Sequence, residues 1–310
     1  METNERDVVR ESDCGTAHVD CRFALVFIVL LSFLPFRAQA VNEQMLVSPD
    51  WLQRHLGTVT LLHIGDAAGY EQKHIPGAVL IETSSLLVQR DGTPNELPPI
   101  DALERVFGAA GVGGRERVVV YSSDPLPAAR AWFTLDYLGQ GDRASLLDGG
   151  LEKWIAAGYP TSTERVQPEP LLFQARPGPR AVTRLAAVRE LVNLREELGP
   201  NLVLIDARSS AQFCGDEAGP DVKHAGHIPG AVNVPYASNL DFTGAFKTVY
   251  ELRQLYHQAG VTPESANVVY CRTGMQAAMT YFVLRYLGYD ATLYDGSFIE
   301  WSNAGETIWS

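Results

Sequence analysis

Val268-Val-Tyr-Cys-Arg-Thr-Gly-Met-Gln-Ala277 reads as the end of a strand, a tight turn and the start of a helix. Val268-Val-Tyr270 is a β-branched and aromatic run of the kind buried inside a parallel sheet. From Ala277 a helical pattern continues to Leu287, and Gly288 stops it. Cys271 therefore stands at the carboxyl end of a strand and faces a helix N-terminus, where α/β sheets bind their ligands. A loop Cys271-Arg272-Thr273-Gly274-Met275-Gln276 curled over that first turn points backbone N–H groups inward. With the helix dipole, these can hold an anion without a basic side chain, and the same setting favours a thiolate. Gly274 lets the loop turn without a Cβ clash. Most buried cysteines are inert packing residues, but this position marks Cys271 for chemistry.

Outward from this stretch the chain repeats itself. His227-Ile-Pro-Gly-Ala231 has an earlier copy at His74-Ile-Pro-Gly-Ala78, and Asn267-Val-Val-Tyr270 answers to Arg117-Val-Val-Val-Tyr121. Tyr286-Leu-Gly288 matches Tyr137-Leu-Gly139, so the interval from the matched tyrosine to this glycine is 18 residues in both copies. Asp295-Gly-Ser-Phe-Ile-Glu-Trp301 matches Asp148-Gly-Gly-Leu-Glu-Lys-Trp154. Strand runs at Leu61–Ile64 and Leu202–Ile205 alternate with helical patterns such as Tyr250–Ala259. That alternation predicts an α/β fold of two tandem domains, each a central parallel sheet flanked by helices. The domains are placed at 45–163 and 181–310, joined by a Pro-rich linker over 164–180. In the first copy the position of Cys271 is held by Ser122, which has no thiol, and Ser122-Ser-Asp-Pro-Leu-Pro127 adds an acid and two prolines that spoil an N–H cradle. His74 and His227 open a turn entering a strand and are read as structural.

Composition narrows the function. Hydrophobic residues make up 46% and charged residues 20%, as in an ordinary globular protein, and 310 residues suffice for two cores. A net charge of −12 with no dense Lys/Arg run argues against nucleic acid or an anionic membrane surface as partner. Phe23–Leu34 is an apolar run of 12 residues, too short to span a bilayer, so no stable membrane span is expected. Ala38-Gln39-Ala40 follows with small residues where a signal peptidase reads, and residues 1–40 are read as a signal peptide of a secreted or periplasmic protein. Six acidic residues against two arginines in 1–21 fit a signal n-region badly, which a start codon set too far upstream would explain. Cys14 and Cys21 leave with the leader; Cys214 and Cys271 alone make neither a disulfide framework nor a zinc spacing.

On these motifs the chain resembles the tandem rhodaneses, the thiosulfate and 3-mercaptopyruvate sulfurtransferases, over 45–310. The resemblance implies a sulfurtransferase in which Cys271 takes sulfur from a small anionic donor as a persulfide and passes it to a thiol or cyanide, with no metal or organic cofactor. It implies a donor site formed by Arg272, Thr273, Gly274, Met275 and Gln276, with the C-terminal half catalytic and the N-terminal half not. Two departures bear on the donor. Thiosulfate enzymes of the family carry a basic residue where Thr273 stands, and Gln212 replaces a substrate-binding arginine, leaving Arg208 as the nearest cation or else a structural ion-pair partner. Mercaptopyruvate enzymes tend to carry Gly directly after the cysteine, so Arg272 favours thiosulfate over 3-mercaptopyruvate. A cysteine phosphatase would need Arg at Ala277 and a longer loop, and a rhodanese-type binding or sensing module would have no need of Cys271.

Overall fold

The computed structural model describes residues 40–178 and 181–310. The expected signal peptide, apart from Ala40, lies outside the described residues. In the N-terminal half the strands are β1 (Leu46–Val47), β2 (Val59–Gly65), β3 (Val79–Glu82), the hairpin β4 (Val88–Arg90) and β5 (Thr93–Glu96), β6 (Arg117–Tyr121) and β7 (Ala144–Leu147). The C-terminal half has β8 (Val182–Thr183), β9 (Leu202–Asp206), β10 (Val232–Asn233), β11 (Ala266–Tyr270) and β12 (Thr292–Tyr294). Two five-stranded sheets result, β1-β7-β6-β2-β3 and β8-β12-β11-β9-β10. Every pairing within them is parallel, and the order is the same in both halves. The repeat seen in the sequence is thus a repeat of topology, and β6 and β11 are central because their buried runs Val118–Tyr121 and Asn267–Tyr270 need cover on both faces.

The helices that follow these central strands, Pro125–Tyr137 and Met275–Tyr286, pack on each other. Ala128–Leu135 and Ala277–Leu284 are buried without interruption, as a helix must be when a sheet lies on one side and a second helix on the other. Their contacts are reciprocal. Trp132 meets Phe282 edge-on at 4.9 Å and Phe133 meets Tyr281 at 5.0 Å, each pair adding about 1 kcal/mol beyond its buried area. One hydrophobic core therefore runs through both halves, which form a single compact unit.

The repeated His-Ile-Pro-Gly-Ala segments anchor the chain. His74 pairs with Ser162 and His227 with Trp309 in isolated antiparallel bridges, so each histidine pins the segment that closes its own half. The His74 ring is fully buried between the carbonyls of Tyr70 and Glu164, and Nδ1 of His227 lies 2.9 Å from the Phe213 carbonyl. The Pro-rich stretch expected as a linker is strapped to the N-terminal half rather than free. Leu171 N–H donates to Gly108, Arg176 N–H to Leu138, and Phe173 is buried in the core.

Candidate active site

Cys271 follows β11 directly, and the helix starts at Met275, two residues ahead of the sequence expectation, because Gly274 serves as its N-cap with φ +85°. Only glycine adopts that conformation without strain. The position is also crowded: a Cβ on Gly274 would lie 3.1 Å from Arg130 Nη1 and 3.2 Å from the Asp295 carbonyl oxygen. The Gly274 N–H donates to Cys271 Sγ at 3.1 Å, and the Met275, Gln276 and Ala277 N–H groups are those a helix start leaves without partners four residues back. Ser297, itself in a left-handed conformation at φ +55°, accepts the Cys271 N–H at 3.3 Å, while the Cys271 carbonyl accepts from Phe298 at 2.9 Å. The start of the loop is therefore fixed by the repeated Asp-Gly-Ser segment and the residues that follow it, the Arg272 carbonyl accepting from Ile299 at 3.1 Å.

Cys271 is 1% exposed and Thr273 4%, whereas Arg272, Met275 and Gln276 are half-buried and form the rim. Arg272 Nη1 donates to the Pro220 carbonyl at 3.2 Å and forms no ion pair among the described residues. Gly219 lies between Arg272 and Gln212: a Cβ there would be 3.2 Å from the first and 3.3 Å from the second. Arg208 is elsewhere. Its guanidinium is fully buried, forked onto Asp206 with Nη2 to Oδ2 at 2.5 Å, donates to the Gly226 carbonyl and sits 3.9 Å over the Phe298 ring. Of the two readings of Arg208, a cation facing the donor or a structural ion-pair partner, this placement fits the second, with the carboxylate two residues earlier in β9 as its partner.

Several residues of the site come from the other half and escaped the sequence reading. Asn95, at the end of the β4–β5 hairpin, holds φ +63° and donates through Nδ2 to Thr273 Oγ1 at 3.0 Å. Arg130, on the Pro125–Tyr137 helix, donates through Nη2 to the Asn95 carbonyl and to Asp295 Oδ1, both at 2.8 Å. Arg184 bridges Asp295 at 3.1 Å and Glu96 at 2.8 Å, and Arg90 meets Glu96 at 2.9 Å. Three guanidinium groups, of Arg90, Arg130 and Arg184, thus pair with two carboxylates, of Glu96 and Asp295, behind the loop. Burial pushes the Glu96 carboxyl above its usual range while Arg184 pulls it down.

The equivalent place in the N-terminal half has the same frame and the opposite lining. The Ser122 carbonyl accepts from Leu151 as that of Cys271 does from Phe298. Around it, a cavity of about 390 Å³ is lined by His63, Asp66, Glu82, Ser122, Ser123 and Asp124. Asp124 caps the helix with its own carboxylate and Pro125 takes the first helical position, so acid and ring occupy the place of an anion cradle.

A two-half α/β chain with a cysteine in the strand–helix turn of its second half is the class that this geometry defines. The Rhodanese-like domain model matches residues 48–157 and 188–304, and the chain belongs to the rhodanese family of sulfurtransferases. It is 32% identical over 279 residues to the sulfur carrier protein TtuD of Thermus thermophilus, covering 84% of this chain and 95% of that one. To human 3-mercaptopyruvate sulfurtransferase it is 30% identical over 237 residues, 75% of this chain and 78% of the relative. The solved structure of wild-type EanB superposes with a TM-score of 0.77 at 20% identity, covering 87% of this chain and 70% of that one, a likeness of fold. Among the described residues no helix is long and apolar enough to cross a membrane.

Proposed function

We propose that the protein moves sulfane sulfur from thiosulfate to a thiol or cyanide through a persulfide on Cys271. The Cys271 thiolate attacks the outer sulfur of thiosulfate, a new S–S bond forms, and the old S–S bond breaks with its electron pair leaving on sulfite. An acceptor thiolate or cyanide then attacks the outer sulfur of the persulfide, taking it as a persulfide or thiocyanate and returning the Cys271 thiolate. The Gly274 N–H donating to Sγ is the observation that carries this reading, since it favours the thiolate that attacks the donor and that is returned when the sulfur leaves. Arg272, on the rim and without an ion pair among the described residues, supports a dianionic donor. 3-Mercaptopyruvate is the second donor to be tried, because the human relative is named for it.

Intact mass after mixing with thiosulfate should show one added sulfur atom on the parent chain and on Ser122→Ala, and none on Cys271→Ser. Arg272→Ala should raise the Michaelis constant for thiosulfate several-fold, lessen its sensitivity to salt, and change turnover at saturation much less. Sulfur on Cys271→Ser, or equal loss of activity in Ser122→Ala, would sink the one-site reading. We also propose export with cleavage after Ala40, on the strength of Phe23–Leu34 and Ala38-Gln39-Ala40. Terminal sequencing of the native protein should find Val41 first; a terminus that retains Phe23–Leu34 overturns it.

A further inference from the structure

Arg130 and Met279 occupy equivalent places, each nine residues beyond the matched tyrosine, Tyr121 or Tyr270, on the helix that packs against the other half. Asp148 and Asp295 are equivalent too. Each receives a backbone N–H from across the interface, Phe246 to Asp148 and Leu97 to Asp295, both at 2.9 Å. The symmetry breaks at the cation. Asp148 is met by Lys153 of its own half, and the fully buried residue at the Arg130 position is the uncharged Met279. Asp295 is met by Arg184 of its own half and, in addition, by Arg130 from the other half, and the Arg130 and Asp295 side chains are both fully buried. So, among the described residues, a fully buried guanidinium is sent across the interface only toward the half that has a cysteine.

What this guanidinium touches is the loop. Nη2 binds acceptors from both halves, and Nη1 lies against Gly274, whose N–H donates to Cys271 Sγ. Nε and Nη1 have no hydrogen-bond partner among the described residues, although the side chain is fully buried. Charged donors left unused in a core are unfavourable unless another interaction offsets them, and an ion pair alone needs neither. The Asn95 carbonyl that Nη2 holds belongs to a residue in the left-handed region, and its side chain in turn grips Thr273. Asparagine tolerates that conformation but does not prefer it, so the bond to Arg130 helps to keep Asn95 over the loop.

We infer that Arg130 is a positioning residue of the Cys271 loop, supplied by the half without a cysteine. It fixes Thr273 through Asn95 and Gly274 by direct packing, and so aims the N–H that faces the sulfur. The inference rests on Cys271 as the sulfur carrier, and it makes the docking of the halves a condition for a competent loop.

The test compares Arg130→Met, the charge-balanced Arg130→Met/Asp295→Asn, and Lys153→Met, which removes the counterpart ion pair from the other half. Replacing a buried ion pair as a unit is often tolerated, so the double variant guards against a single variant that does not fold. Amide hydrogen exchange needs no donor. In both Arg130 variants it should quicken about tenfold at residues 271–276 relative to parent, with the 122–124 loop unchanged. Turnover should fall about tenfold or more, with the Michaelis constant for thiosulfate shifted less than about threefold. Lys153→Met should show parental exchange at 271–276 and parental turnover. Parental exchange at 271–276 in the double variant, the same gain in Lys153→Met, or faster exchange with turnover intact would each overturn the inference. A parent chain that takes no sulfur on Cys271 would instead remove the proposed function, and the exchange data would still decide the place of Arg130.

Discussion

His63 shows what one residue does to a repeated site. It pairs in register with Tyr121 as Asp206 does with Tyr270, so an imidazole stands where the half with Cys271 has the carboxylate of its buried ion pair. Gly65, two places on, answers to Arg208, and a Cβ there would meet His63 Nε2 at 2.8 Å. The ring lies edge-on to Tyr70 and Tyr121, with Nδ1 buried and unpartnered among the described residues. Burial, reinforced by His74 and only partly offset by Asp66, lowers its pKa from 6.5 to about 4. Between those values the unfolded chain binds a proton that the folded chain refuses. Stability therefore rises with pH across the window and falls on acidification through it, by up to about 3 kcal/mol at the low end. His63→Phe, which keeps the edge-on packing and drops the titration, should lose this part of the pH dependence in denaturant melts at pH 4 and pH 7. An unchanged pH dependence would show that other groups set it.

The two strand–turn–helix elements share a plan that was legible in the sequence, down to the 18-residue interval. Their difference was only half legible. Ser122 for Cys271, and Asp124 with Pro125 in the turn, can be read directly; that Asp124 caps the helix while Gly274 leaves its own helix start open needs the backbone angles. The β4–β5 hairpin left a signal that went unused. Asp91-Gly92 is a dipeptide suited to two positive φ angles, and the structure gives them 50° and 83°. Even so, the turn predicts a hairpin and not its target. Asn95 reaches Thr273 because the halves dock, across 178 positions of sequence, and no local pattern encodes that contact.

At the scale of the molecule, the core shared by the Pro125–Tyr137 and Met275–Tyr286 helices binds the fate of one half to the other. Separating them would uncover Trp132, Phe133, Tyr281 and Phe282 and would strand Asp295 without Arg130. Calorimetry of the intact chain should give one transition with equal calorimetric and van't Hoff enthalpies; two resolved transitions would mean that the halves fold independently. The sequence by itself determined the repeat, the parallel α/β plan and the cysteine that faces a helix start, because strand runs, glycine stops and matched blocks are local signals read along one stretch of chain. Only the tertiary structure decided that Arg208 spends its charge on Asp206 and that Asn95 and Arg130 stand over the cysteine loop. Those outcomes depend on which acceptor lies nearest once burial has removed water, and proximity between distant segments is created by packing.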